Sequence, residues 1–155
     1  MKKYELTEET VTVYGKTLYR IRAVRDFGSV KTREFGGYIE KEENLSHFGN
    51  AWISGDARVS GDARVSGNAW VYGNAEVFNT RHFFVQGPIG SRDGYVTFYR
   101  TKDDTVEVRC GCFSGSLQKF VDRVEETHGG SRYEKEYKLA AELAKVCIRL
   151  EGESR

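Results

Sequence analysis

Between Gly49 and Phe78 the chain repeats a six-residue pattern five times, Gly, then Asn or Asp, then Ala, a variable residue, Val or Ile, and a last variable residue. Six residues match neither the helical period nor a hairpin spacing, and such a repeat predicts a parallel β-helix, each hexad contributing a short strand and a turn. Ala51, Ala57, Ala63, Ala69 and Ala75 share one position, while Ile53, Val59, Val65, Val71 and Val77 share the position two residues later. Two residues apart on a strand means the same face, so both sets are expected to fill the interior. The Gly-Asn and Gly-Asp pairs supply the corners, because these residues tolerate a left-handed backbone. Trp52, Arg58, Arg64, Trp70 and Glu76 are then expected to form an outward column, with Trp52, Arg58, Arg64 and Trp70 as the candidate interface.

Counting onward in sixes places Phe83 and Ile89 in the aliphatic position and Gly87 in the small one, with Arg81 as a single break. Counting backward places Asn44 at a corner and His47 in the aliphatic position, with Leu45 just before it. The coil is therefore expected over residues 43–90, a little over two turns if three hexads close one triangular turn. So short a coil exposes both ends and needs caps, partners or both.

The alternation changes on either side of the coil. Residues 1–42 contain Thr10 to Tyr14 and Thr17 to Ala23 around Gly15-Lys16, a hairpin suited to covering an open end. Residues 25–28 and 35–39 read as irregular lead-in, and Asp26 as a turn cap. Residues 91–155 open with two alternating runs, Tyr95 to Arg100 and Thr105 to Cys110, and continue into two helices. Leu117, Phe120, Val121 and Val124 have helical spacing, which Gly129-Gly130 ends. Ser131 and Glu134 have the form of a capping box for a second helix, whose apolar face is Tyr137, Leu139 to Ala141, Ala144 and Ile148. The expected fold is mainly β with a C-terminal α+β part: a short parallel β-helix with an N-terminal hairpin cap, then a ββαα module.

Composition narrows the partners. Among 155 residues, 24 Lys and Arg balance 23 Asp and Glu, which argues against nucleic acid held by bulk electrostatics. No apolar run reaches membrane length, and Met-Lys-Lys is followed by a polar stretch instead of a signal-peptide core, so a cytoplasmic location is expected. Three cysteines fit a reducing compartment better than a disulfide framework.

Gly87-Pro-Ile-Gly-Ser-Arg92 is the candidate ligand loop, in which the backbone N–H groups of Gly87 and Gly90, the Ser91 hydroxyl and the Arg92 guanidinium could hold a small anion. It lacks the lysine and spacing of a P-loop, and the competing reading is a loop that ends the coil. Cys110, Cys112 and His128 offer two thiols and an imidazole, too few for a structural zinc site, although a Cys–His nucleophile pair is conceivable. Buried packing for the cysteine and a helix C-terminus for the histidine account for the same residues. No metal, cofactor or catalytic residue is assigned.

The repeat resembles the coil of hexapeptide acyltransferases, which would imply a trimer and a catalytic histidine, here His47 or His82. A closer resemblance runs through Tyr19 to Val30, Gly36 to Ser46 and the hexads, which are similar to a family of bacterial and phage left-handed β-helix proteins. Gly87 to Arg92, Thr97 to Tyr99, Cys110 to Phe113 and Thr127 to Gly129 are similar to a C-terminal module joined to such coils in phage and prophage proteins. The resemblance implies a left-handed coil and a phage context, but no active site, and its members favour Gln where this chain has His47. The expected function is that of a non-enzymatic oligomer, a trimer through coil faces or a dimer through the C-terminal helices. It would bind a host protein or small anionic ligand and blunt a bacterial defence system. An acyltransferase or a Cys/His-dependent enzyme is the alternative.

Overall fold

A computed structural model describes residues 2–152; Met1 and residues 153–155, the outer ends of the first and last expected regions, lie outside the described residues. The chain divides into two compact units, 1–80 and 81–155. Among the described residues no helix is long and apolar enough to cross a membrane.

The first unit opens with strands β1 (Tyr4–Val13) and β2 (Lys16–Ala23), an antiparallel hairpin in which Val13 pairs with Lys16. Its two-residue turn is Tyr14-Gly15, both with positive φ (52° and 77°), the conformation whose twist suits a tight hairpin. Strand β3 (Phe35–Ile39) pairs antiparallel with β2 on one side and parallel with β5 (Arg58–Val59) on the other. β5 pairs in turn with β7 (Glu76–Val77), giving one five-stranded sheet ordered β1-β2-β3-β5-β7. A second parallel ladder joins β4 (Trp52–Ile53) to β6 (Trp70–Val71), and a third contact joins Leu45 to Val65. Trp52 faces Trp70 and Arg58 faces Glu76, each eighteen residues on, so three hexads make one turn.

The interior is as the repeat requires. The five alanines and five aliphatic residues are all at most 1% exposed, joined by Ile39 and Leu45. At the corners only the glycines take the left-handed backbone, with φ between 64° and 70° for Gly55, Gly61, Gly67 and Gly73. At Gly61 the approach is also too close for a side chain, since a Cβ would lie 2.2 Å from the Phe78 carbonyl oxygen.

The start of the coil differs from the sequence reading. The first rung of the coil is β3, not a position near 43: Tyr38 pairs with Arg58 and Ile39 with Val59, twenty residues on. Gly36 and Gly37 are therefore not a bend in a lead-in. A Cβ on them would lie 2.6 Å from the Ile53 carbonyl oxygen and 2.5 Å from that of Ala57. The first turn is two residues longer than the others, and the excess falls between Leu45 and β4. Leu45, not His47, consequently takes the inward position.

The second unit holds strands β8 (Phe83–Ile89), β9 (Gly94–Arg100), β10 (Val106–Cys110) and β11 (Phe113–Ser116), followed by helices α1 (Leu117–His128) and α2 (Arg132–Cys147). The sheet is an antiparallel meander, ordered β11-β10-β9-β8. Phe83 to Ile89, counted into the coil from their spacing, thus belong to this sheet, where Phe84 pairs with Phe98. The module carries four strands before its helices, not two. Val96, Phe98 and Val108 from the sheet meet Phe120 and Val124 of α1, Ala140, Ala141 and Ala144 of α2, and Ile148. The Phe120 ring stands edge-on to both Phe98 and Tyr137, with centroids 5.9 and 5.8 Å away.

Ser116 caps α1 by accepting a hydrogen bond from the Lys119 N–H at 3.2 Å. The capping box expected at Ser131 does not form. The Ser131 hydroxyl instead donates to the His128 carbonyl, and Glu134 accepts from the Gly130 N–H.

Candidate functional site

The eighteen-residue turn redistributes the expected interface. Outward positions one hexad apart lie on different walls, so Trp52 and Trp70 share one wall, Arg58 and Glu76 a second, and Arg64 the third. The single column of Trp and Arg residues does not exist. Trp52 is also fully buried, with the Phe27 ring standing edge-on at 5.2 Å. Trp70 is half-buried, and its indole N–H donates to the Ser54 hydroxyl at 2.6 Å. Arg64 is exposed and Arg58 half-buried.

The chain above Trp52 is organised by short polar contacts. Asp26 accepts from both the backbone N–H and the hydroxyl of Thr32, and those bonds hold its carboxyl below the usual range. At the same end of the coil Tyr4 stacks on His47, with centroids 4.1 Å apart. The Lys3 backbone N–H donates to His47 Nδ1 at 3.1 Å, which puts the ring proton of neutral His47 on Nε2, 2.8 Å from Glu42 Oε1. Both nitrogens are thereby engaged, and His47 has no free lone pair with which to accept a substrate proton. The hydrogen bond from His47, more than Lys2, lowers the Glu42 carboxyl.

Lys3, which the sequence did not single out, is fully buried. Its ammonium donates to the Ala51 carbonyl at 2.7 Å, approaches that of Gly49 at 3.5 Å and lies 4.7 Å from the Phe27 ring centroid. Burial, reinforced by Arg25, lowers its pKa to about 8. The Tyr4 hydroxyl donates to the carbonyls of Leu45 and Glu42 at 2.6 and 3.0 Å. Its pKa is raised well above the ordinary phenol range, first by burial and then by Glu42 and Glu43.

In the second unit the Gly87 to Arg92 segment is the end of β8 and the connection to β9, with Ile89 paired to Gly94. Gly90 has φ of 81°, and a Cβ there would lie 1.9 Å from the Tyr137 hydroxyl. The Gly90 N–H donates to Glu136 Oε1 at 2.7 Å, so this anion-seeking donor already holds a carboxylate of the protein itself. Gly87 approaches Tyr95, while Ser91 and Arg92 are exposed. Glu136 and Tyr137 are the partners of this loop that the sequence reading missed.

Cys110 ends β10 opposite Phe113, and Cys112 is exposed in the intervening turn. Burial pushes the Cys110 thiol upward against the opposing hydrogen bond with Tyr137, which disfavours a thiolate nucleophile. His128 stacks on the same Tyr137 ring at 5.6 Å. His82 is fully buried, and burial, followed by Arg100, lowers its pKa against the opposing influence of Glu151 and Asp104. Among the described residues no group of three or more His, Cys, Asp or Glu side chains is placed to hold a metal ion.

One surface stands apart from these internally engaged groups. Leu139, Leu143 and Val146 are 70%, 46% and 69% exposed, at spacings of four and three residues along α2. Leu139 was expected on the buried face, but Ala140, Ala141 and Ala144 occupy it. The alternative spacing was visible in the sequence, since helical neighbours three and four apart share one side.

Residues 51–67 and 57–73 match the family model of the YdcK beta solenoid repeat. The matches fall within the stacked hexads and identify a β-solenoid-type repeat. No curated protein matches the chain.

Proposed function

We propose that this chain is a non-enzymatic, self-associating binding protein built on a left-handed coil. The observation that carries this reading is the contrast between its candidate catalytic groups and α2. His47 uses both ring nitrogens internally and Cys110 is shifted away from the thiolate, while α2 holds Leu139, Leu143 and Val146 in solvent. A second copy is the occupant favoured for that stripe. Along the same helix Lys138 is ion-paired with Glu125 and Glu134, and Lys145 with Glu142, so burial of the apolar stripe, not charge pairing, is what a second copy would gain. With Trp52 under Phe27, a dimer through α2 is better supported than a trimer through the coil walls.

The biological role we infer is a phage or prophage protein that acts in the cytoplasm of a bacterial host and binds a defence protein. The support is the resemblance of the coil and C-terminal motifs to phage proteins. A small anion at Gly87, Gly90, Ser91 and Arg92 is less well supported, because it would compete with Glu136 for the Gly90 N–H.

Light scattering on the intact chain and on Leu143→Glu tests self-association. A dimer for the native chain and a monomer for the folded variant are expected; a native monomer, or a dimer indifferent to the substitution, would sink the α2 reading. Titration with inorganic phosphate, compared between the native chain and Glu136→Gln, decides the anion arm.

A further inference from the structure

At the outer rim of the coil's first turn, three backbone carbonyls are met by side chains instead of by a strand. Backbone N–H groups of Ser46, Trp52 and Ser54 bond to Val65, Ala69 and Val71 of the second turn. The alternating residues Leu45, His47 and Ala51 point the other way, where a preceding turn would sit. Among the described residues no such turn is present, yet their carbonyls are satisfied. Leu45 accepts from the Tyr4 hydroxyl at 2.6 Å, His47 from the Arg25 guanidinium at 3.3 Å and Ala51 from the Lys3 ammonium at 2.7 Å. On the remaining wall β2 covers the edge of β3.

We infer that Lys3, Tyr4 and Arg25 form a built-in stop that keeps the strand edge of a second copy of this chain from pairing with the first turn. An open solenoid end is a template for further strands, because its unpaired carbonyls and amides are spaced to receive them. Here three side chains substitute for the missing rung. Burying an ammonium is costly, and a neutral side chain could have filled the same space. A charged donor does what an apolar filler cannot, since it engages the carbonyl that an incoming strand would need. Phe27 packs against both the ammonium and Trp52, so the stop is held by the same loop that covers the wall.

The experiment compares Lys3→Met and the double variant Tyr4→Phe/Arg25→Met with the native chain, using sedimentation velocity over a dilution series and circular dichroism to follow the β structure. All three are placed in the Leu143→Glu background, which separates end pairing from association through α2. The stop predicts an average mass in at least one folded variant that rises with concentration to about twice the parental value or more, while the parent stays constant. Folded variants of unchanged mass would overturn it. Loss of structure in both variants without larger species would also overturn it, since the side chains would then serve stability alone.

Discussion

The coil of the N-terminal unit buries the same two kinds of side chain at equivalent places on successive turns, whereas the core of the C-terminal unit joins Val, Phe, Ala and Ile in contacts that do not repeat. In the coil, alanine and a β-branched residue fill equivalent places because each rung lies over another of the same shape. In the second unit Phe98, Phe120 and Tyr137 meet once, at angles that no repeat dictates. The difference teaches where polar side chains become structural. A repeating stack satisfies its own backbone except at its ends, so Lys3, Tyr4 and Arg25 gather at one end. A meander closed by helices instead concentrates its polar contacts at turns and caps, as at Gly90 and Ser116.

Both tryptophans, Trp52 and Trp70, lie in the first unit, and both α-helices lie in the second. Indole fluorescence and helical circular dichroism therefore follow the two units separately. The largest effect is expected for Phe98→Ala, which should cost about 3–5 kcal/mol in the helical signal. Val59→Ala, in a rung flanked by Ile39 and Val77, should cost about 2 kcal/mol in the fluorescence signal. Equal movement of both probes in chemical denaturation would break the comparison.

Next come two corners that differ only in their neighbours. Gly61→Ala meets the Phe78 carbonyl as well as an unfavourable φ, and should cost about 3 kcal/mol or more. Gly67→Ala has nearly the same φ, 67° against 64°, but nothing within 4 Å, so about 1–2 kcal/mol is expected. Matching losses would show that strain at the backbone, not proximity, dominates the corners.

The units should also answer differently to pH. Lys3 has a native pKa of about 8 against an ordinary 10.5, so between these values the unfolded chain binds more protons and the first unit gains stability as pH rises. The raised Tyr4 pKa works in the opposite direction above pH 10, where only the unfolded phenol ionises. Thermal melts should show the first unit's rise disappear in Lys3→Met and its alkaline fall weaken in Tyr4→Phe. His82 is lowered from 6.5 in the second unit. That unit should lose stability as pH falls below about 6.5, because the unfolded imidazole takes a proton that the buried one refuses. His82→Gln would flatten that arm.

The smallest contrast lies at the helix starts. Ser116→Ala removes a hydrogen bond to the Lys119 N–H and should cost about 1 kcal/mol. Ser131→Ala removes a bond to the His128 carbonyl instead of a cap, and a loss of about 0.5 kcal/mol is expected. Helical circular dichroism during denaturation compares the two.

The hexads were legible because every position repeats its job, and the inward Ala and Val sets follow from counting. Counting failed where a different physical constraint replaced the repeat. At the start, Gly36 and Gly37 serve close backbone approach, and the two extra residues before β4 move the interior position from His47 to Leu45. At the far end Phe83 and Ile89 keep the six-residue spacing by coincidence: Phe84, not Phe83, packs with Ile89 against the core, because a register shift between Gln86 and Ile89 interrupts the alternation of the strand. The Gly87 to Arg92 loop was recognisable as an anion-seeking turn, but Glu136, forty-six residues from Gly90, is brought to it only by the fold of α2. Trp52 could not be read as buried from its hexad, since Phe27 covers it from outside the repeat.

The eighteen-residue turn also constrains how such a gene can change length. Inserting or deleting three hexads would move the coil by one rung, about 4.8 Å, and leave each later residue on its original wall. A single added hexad would turn everything after it by a third of a revolution, carrying the tryptophan of one wall onto the next. Growth of this protein by duplication is thus quantised: threes change its height, and ones or twos change which way it faces.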